Sequence, residues 1–336
     1  MNNDFIKILA FEVRDDEKCF FEEAAKRLHL ETVLRPDILT VENTAECQGF
    51  TGVTTLGMSR LSREVLDGLK QAGVKYISTR TVGYNHIDVA YAQSIGLHVS
   101  NAEYAPESVA EFTIMLMLLV LRKYKPAVYR QNVNDYSLGG LCGRTLKSLT
   151  VGVVGTGQIG QAVIRSLSGF SCRILAYNRS PRRELEPYAS FVSLEQLYSE
   201  SDVITFHLPL KETTRYMVNP HTLSLMKDGV VLINTARGEL MDQKALIQGI
   251  ESEKIGALAL DVFEDERSIY HESRINDIIA NRDMAYLRQF PNVAMTQHMA
   301  FYTESAVEEM VECGLRGIVE MHRNGCWAKE LTAFTL

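Results

Sequence analysis

TVGVVGTGQIGQAV, residues 150–163, decides the fold. The apolar run Val151–Val154 reads as a strand. It runs straight into Gly155-x-Gly157-x-x-Gly160, and the residues from Gln158 to Leu167 follow a helical pattern. The glycine pattern alone occurs in many turns, but a strand before it and a helix after it make it a dinucleotide-binding turn. Gly155 permits the tight turn, Gly157 lets the backbone approach a pyrophosphate, and Gly160 lets the helix pack close to the strand. The helix N-terminus then offers N–H donors and a positive dipole to the anion.

The block that begins with this stretch continues through CRILAYN, DVITFHL, GVVLINTA, ALALDVF and NVAMTQH. These are six strand candidates, enough for a complete doubly wound sheet. Upstream, Ile6–Phe11, Gly52–Thr55, Tyr76–Thr79 and Leu97–Ser100 read as strands with helical stretches between them, including Glu17–Leu28. Such alternation predicts a parallel sheet covered on both faces. One long helix is expected from Ser108 to about Asn132, starting just after Pro106 and apolar nearly all round. From Phe301 the chain returns to a helical pattern, ESAVEEMVECGLRGIVEMHRN. The expectation is α/β with two doubly wound, Rossmann-like domains. Residues 1–103 and 300–336 form a discontinuous substrate-binding domain, and 104–299 form the nucleotide-binding domain inserted in it.

Composition limits the partners. At 336 residues and 46% hydrophobic content the chain can bury its cores without disulfides or metals. A formal net charge of −7 disfavours nucleic acid and anionic lipid as main partners. The six cysteines contain no C-x-x-C pair and no neighbouring His cluster, so neither a zinc site nor a disulfide scaffold is expected. The N-terminus reads as a strand rather than a secretory signal, and Phe112–Leu121 is too short to span a bilayer. A cytoplasmic protein with no metal and no membrane partner is the expectation.

The end of the second strand of a nucleotide fold reads the adenosine ribose. An NAD site carries Asp or Glu there. Here RILAY ends in Asn178, Arg179 and Ser180, with Arg182 and Arg183 close by. Asn178 lacks the charge that would repel a 2′-phosphate, and Arg179 could pair with one. NADPH is therefore preferred over NADH, which stays possible if Arg179 only stacks on the adenine. His207, at the end of another strand, reads as part of the cofactor wall.

Three further strand ends carry polar groups: INTARGELMD with Arg237, ALALDVFEDE with Asp261, Glu264 and Glu266, and VAMTQHMAFYT with His298. Open α/β sheets bind ligands at that edge. A guanidinium grips a carboxylate with two parallel hydrogen bonds, the role that fits Arg237. Hydride delivery to a keto carbon leaves charge on oxygen, and His298 is the natural proton donor. A carboxylate bonded to the imidazole would favour its protonated form, and Glu266 is the candidate. Singly, each could be a surface ion pair, an exposed loop histidine or a solvated acidic turn.

The chain resembles the D-isomer-specific 2-hydroxyacid dehydrogenases over nearly its whole length, and the D-lactate dehydrogenase branch of vancomycin-resistance type most. The resemblance is carried by STRTVGYNHID (78–88), NAEYAPESVAE (101–111), TVGVVGTGQIG (150–160), HLPL (207–210), INTARGELMD (233–242), LDVFEDE (260–266) and QHMAFYT (297–303). It implies reduction of a 2-oxo acid, pyruvate first, to the D-2-hydroxy acid, and a homodimer built on the long helix after residue 104. It implies Arg237 as carboxylate binder, Glu266 as partner of the histidine and His298 as acid/base. On the substrate side it adds Val82, Gly83, Tyr104 and Tyr302. On the cofactor side it adds Gln158, Ile159, Leu208, Pro209, Thr214, Thr235, Ala236 and Asp261.

The sequence departs from the family at the histidine, where Gln297 replaces the usual proline and Met299 a small polar residue. Proline would restrain the local φ, and methionine is long and adaptable. Larger 2-oxo acids, such as 2-oxoisocaproate, phenylpyruvate or 4-hydroxyphenylpyruvate, are therefore the alternative substrates. The remaining alternatives are a phosphoglycerate or glyoxylate reductase and a dehydrogenase-like protein that senses nucleotide.

Overall fold

The computed structural model describes residues 5–266, 269–271, 273–327 and 329–332. The chain divides into two compact units, 1–105 with 302–336, and 106–301.

In the first unit the elements run β1 (Lys7–Ala10), α1 (Lys18–Leu28), β2 (Glu31–Leu34), β3 (Gly52–Thr55), α2 (Arg63–Gln71), β4 (Tyr76–Thr79), α3 (Val89–Ser94) and β5 (His98–Asn101). The strands pair in parallel in the order β2-β1-β3-β4-β5. Alternate residues of β1 explain the two faces. Ile8 and Ala10 pack with Phe21 of α1 and with Val311, Leu315 and Ile318 of the C-terminal helix Glu304–Asn324. Leu9 and Phe11 pack on the other side with Val65, Leu66 and Leu69 of α2. A fully buried ion pair holds the top of β1: Arg80 Nε donates to Glu17 Oε1 at 3.1 Å, and its Nη2 donates to the carbonyls of Phe11 and Glu12. Glu17 Oε2 accepts from the Arg14 amide, so both carboxylate oxygens have partners.

The second unit starts with α4 (Glu107–Leu121) and α5 (Tyr124–Asn132). It continues with β6 (Thr150–Val154), α6 (Gln158–Ser168), β7 (Arg173–Tyr177), β8 (Ser190–Phe191), α7 (Leu194–Glu200), β9 (Val203–Phe206), α8 (Pro220–Leu225) and β10 (Val230–Asn234). Then come α9 (Gln243–Glu251), β11 (Ile255–Leu260), α10 (Arg282–Leu287) and β12 (Val293–Met295), and the C-terminal helix of the first unit is α11. The seven strands are all parallel, in the order β12-β11-β10-β9-β6-β7-β8. Both faces are covered. Val230 and Leu232 point into one core with Leu246 and Leu258, while Val231 and Ile233 point into the other with Leu116, Met117 and Ile164. That is why these strands read as continuous apolar runs rather than alternating ones.

Two details differ from the reading of the sequence. The long helix is broken: Lys123 is left-handed, with φ of 51°, and separates α4 from α5. α4 is buried along much of its length, whereas α5 buries no residue and is tied down by Lys125, whose ammonium donates to the carbonyls of Arg288, Phe290 and Val293. Two edge strands, β2 and β8, have no clear signal because neither contains a buried residue. No helix among the described residues is long and apolar enough to cross a membrane.

Candidate active site

The strand order of the second unit reverses between β9 and β6. β6 is followed by β7 on one side, and the chain then crosses to β9 on the other. Ligands bind outside the C-terminal strand ends at such a switch point. The Gly155–Gly160 turn leaves β6 there, and His207, Leu208 and Pro209 leave β9. The glycines divide their tasks by contact. Gly155 has φ of 94°, and a Cβ on it would lie 2.5 Å from the His207 carbonyl oxygen. A Cβ on Gly160 would lie 2.0 Å from the Gly155 carbonyl oxygen. A Cβ on Gly157 would meet nothing within 4 Å. The first and third glycines are thus filled against protein, and the second opens onto free space at the N-terminus of α6. Residues here fit a dinucleotide pyrophosphate.

Around that turn, Gln158 is exposed in the first turn of α6 and Ile159 packs into the core beneath it. Thr235 Oγ1 lies 2.9 Å from Thr113 Oγ1 in a buried pair, and Ala236 follows it. The Thr214 hydroxyl donates to the Pro209 carbonyl, closing the loop after β9. His207 Nε2 lies 3.0 Å from Thr205 Oγ1, and burial pushes its pKa down to about 3, which keeps the ring neutral and unsuited to proton donation. At the end of β7, Asn178 accepts from the Thr156 amide and donates to the Ser180 carbonyl. With Ser180, Pro181, Arg182, Arg183 and Glu184 it lines a cavity of about 590 Å³. Arg182 is within 3.7 Å of Glu184, whereas Arg179 and Arg183 are exposed without an ion pair among the described residues.

Arg237, Glu266 and His298 follow three neighbouring strands, β10, β11 and β12, at the same edge. Asn234, which sequence reading passed over, is buried and shapes the arginine turn: its Oδ1 accepts from the Ala236 amide and its Nδ2 donates to the Arg237 carbonyl. Gly238 brings that turn against the next one, since a Cβ there would lie 2.1 Å from the Phe263 carbonyl carbon. Arg237 is half-buried, and its Nη1 donates to the Ala236 carbonyl at 2.6 Å. Glu266 is held by the Phe263 amide at 2.6 Å on Oε2, and its Oε1 bonds His298 Nδ1. Glu264 is engaged elsewhere, by Arg215 and the Tyr216 hydroxyl. A ring whose Nδ1 faces a carboxylate leaves Nε2 free for proton exchange.

Asp261 behaves differently from the expectation that it meets the cofactor. No part of it is exposed. Its Oδ1 accepts from the Met299 amide and the Thr296 hydroxyl, its Oδ2 from the Ala300 amide, and its carbonyl from the His298 amide at 2.7 Å. It organises the histidine loop, which explains how His298 can hold a left-handed φ of 53° without proline at position 297.

Within the first unit the remaining candidates stand at the C-terminal strand edge. The Val82 carbonyl accepts from Asn101 Nδ2 and the Gly83 carbonyl from the Thr81 hydroxyl, so this loop after β4 is tied to the end of β5, three residues before Tyr104. The Tyr302 ring packs under the Arg14 guanidinium, 5.1 Å from its centroid, and Arg14 pairs with Asp16 through two hydrogen bonds. Burial and the Asp16 carboxylate raise the Tyr302 pKa, so the phenol keeps its proton. Arg14 escaped the sequence reading because an arginine after a strand has no signature of its own. Among the described residues, no group of three or more His, Cys, Asp and Glu side chains is placed to hold a metal.

A nucleotide turn at the switch point, with an arginine and a histidine–carboxylate pair at neighbouring strand ends, fits a nicotinamide-dependent dehydrogenase. Residues 114–300 match the D-isomer specific 2-hydroxyacid dehydrogenase, NAD binding domain. An aromatic 2-oxoacid reductase of Clostridium sporogenes is 39% identical over 95% of this chain and 97% of its own. A D-specific alpha-keto acid dehydrogenase of Enterococcus faecium is 38% identical over 96% of this chain and 98% of its own. Among solved structures, D-2-hydroxyisocaproate dehydrogenase superposes with a TM-score of 0.88 at 31% identity, covering 98% of this chain and 100% of that one. The Lactobacillus jensenii D-lactate dehydrogenase with NAD+ gives 0.84 at 30% identity, with the same coverage. The chain belongs to the D-isomer-specific 2-hydroxyacid dehydrogenases and is a nicotinamide-dependent oxidoreductase.

Proposed function

We propose that the chain reduces a 2-oxo acid to its D-2-hydroxy acid with NADPH, and that Arg237, Glu266 and His298 carry the reaction. The bond between Glu266 and His298 Nδ1, held by the Phe263 amide, is the observation that carries this reading. When bound, the nicotinamide supplies the hydride to the keto carbon. Arg237 grips the substrate carboxylate and polarises the keto oxygen. His298 donates its Nε2 proton to that oxygen, and Glu266 stabilises the charged ring and fixes its tautomer. Val82, Gly83, Tyr104 and Tyr302 are assigned to substrate recognition by the family resemblance, and Met299 by its place next to His298 where it departs from the family.

NADPH is proposed over NADH because Asn178 brings no negative charge, and because the exposed Arg179 and Arg183, the latter on the wall of its cavity, have no ion pair among the described residues. Pyruvate is the first substrate. The larger 2-oxo acids are the second reading, favoured by the 39% identical Clostridium relative named for aromatic 2-oxo acids and by the flexible Met299. A homodimer is proposed from the exposed apolar run Met115, Tyr124, Tyr129, Val133, Tyr136 and Leu138 on α4, α5 and the loop after them, the last of these 83% exposed. Six unpaired thiols suit the reducing cytoplasm.

Initial-rate oxidation of NADPH and NADH across pyruvate, 2-oxoisocaproate, phenylpyruvate and 4-hydroxyphenylpyruvate tests the assignment. A fast rate with one or more acids, higher with NADPH, is expected. Tight nucleotide binding without turnover on any acid would overturn it, and light scattering at a monomer's mass would overturn the dimer.

A further inference from the structure

A second imidazole stands against the His298 turn. His271 Nε2 lies 3.1 Å from the His298 carbonyl oxygen. Its ring centroid is 6.2 Å from that of His298 and 6.3 Å from that of Phe301. A carbonyl oxygen only accepts, so His271 carries its proton on Nε2. The bond holds the carbonyl end of the peptide between residues 298 and 299. The other end of the same peptide, the Met299 amide, donates to Asp261 Oδ1 at 2.9 Å. One peptide plane is therefore clamped from both sides, next to a residue whose φ is 53°. Left-handed backbone is unfavourable for a residue with a Cβ, and Gln297 offers no ring to restrain the approach. Rotation of that peptide would turn the Cα–Cβ bond of His298 and re-aim its ring.

We propose that His271 is a positioning residue: by holding the 298–299 peptide it keeps His298 Nε2 aimed at the oxygen it protonates. This rests on reading His298 as the acid. His271 acts through the backbone and touches no reacting atom. Rigid support from outside the reacting groups is what keeps such groups within productive geometry.

The test compares His271→Ala, His271→Gln and His298→Ala in the full-length enzyme with the best 2-oxo acid of the panel. His271→Ala is expected to lower kcat about three- to tenfold, the loss of one hydrogen bond's alignment. Substrate KM, the NADPH dissociation constant and the melting temperature stay near wild type. His271→Gln, whose amide places a donor close to the position of Nε2, is expected to restore kcat to within about twofold. Wild-type kcat in His271→Ala, with His298→Ala inactive, overturns the inference and leaves the acid assignment standing. A fall in kcat matched by weaker cofactor binding and a lower melting temperature, with no rescue by glutamine, also overturns it, because the role is then merely structural. Full turnover in His298→Ala removes the acid assignment, and the inference goes with it.

Discussion

Replacing Gly160 and Gly157 by alanine, one at a time, separates packing from ligand binding within a single turn. At position 160 the added Cβ would lie 2.0 Å from the Gly155 carbonyl oxygen and 3.0 Å from its carbonyl carbon. Both atoms are backbone and cannot swing aside, so α6 must move off β6 or the turn must reshape. Overpacking of this kind costs about 3 kcal/mol, the upper end of its usual range. In a unit the size of residues 106–301 each kcal/mol moves the melting point by about 2–4 °C, so a drop of about 6–12 °C is expected. At position 157 the Cβ meets nothing within 4 Å and the φ of −68° suits alanine. The cost there is that of a poorer helix cap, under about 1 kcal/mol. The same methyl group occupies the space through which a pyrophosphate approaches, so NADPH binding should weaken by more than about tenfold, or about 1.4 kcal/mol. Thermal unfolding by circular dichroism without cofactor reads the first effect, and titration of NADPH fluorescence reads the second. If Gly157→Ala melts as low as Gly160→Ala, or binds NADPH as wild type does, the division of labour is wrong.

Three other perturbations address the rest of the site. Arg237→Lys replaces a two-pronged grip with a point charge, and kcat/KM for the 2-oxo acid should fall about 10- to 100-fold with cofactor affinity kept; a change under about twofold in kcat/KM rejects the carboxylate role. Asn178→Asp should move the ratio of NADPH to NADH efficiency towards NADH by at least about fivefold through repulsion of the 2′-phosphate, and an unaltered ratio means another residue reads that phosphate. His207 stays neutral in the folded chain down to about pH 3 but takes up a proton near its ordinary value of 6.5 once unfolded. Its contribution to stability is therefore complete above pH 6.5 and is lost as the pH falls. At about 1.4 kcal/mol per pH unit, reduced for its partial exposure, the advantage of wild type over His207→Gln should shrink by about 1–2 kcal/mol between pH 7 and 4.5. Urea unfolding at the two pH values checks this, and an advantage that grows on acidification contradicts it.

The apolar runs that build the second sheet were legible because its strands are buried on both faces, as Val230–Asn234 shows residue by residue. The same logic explains what was not. β2 and β8 are edge strands with half-exposed or exposed residues, so no apolar run marks them. The break at Lys123 does have a local cause that the reading passed over: Pro126 has no amide to donate and cannot sit in the interior of one continuous helix, but it is tolerated in the first turn of α5, whose place is then held by the Lys125 ammonium. At the site, residue types with distinct chemistry stood out. Asn234 and His271 did not, because their positions matter through hydrogen bonds to backbone across a turn or far along the chain, and Arg14 did not, because one of its partners, the Tyr302 ring, lies at the other end of the sequence. Asp261 stood out as a charged strand end and took its cofactor role from the family resemblance; its buried carboxylate also holds the histidine loop, a role carried by backbone amides that no sequence pattern marks.

The way Asp261 holds that loop has a consequence for how such an enzyme can diverge. Two of the donors it receives directly on its carboxylate are the main-chain amides of Met299 and Ala300, and its own carbonyl receives the amide of His298. Nearly every residue type supplies an identical amide. The side chains beside the histidine can therefore be exchanged without loosening the frame that carries it, as exposed Gln297 and half-buried Met299 illustrate. Under the proposed roles, substrate preference can drift by substitution at these positions while His298 stays where it is, so a change of diet need not pass through an inactive ancestor.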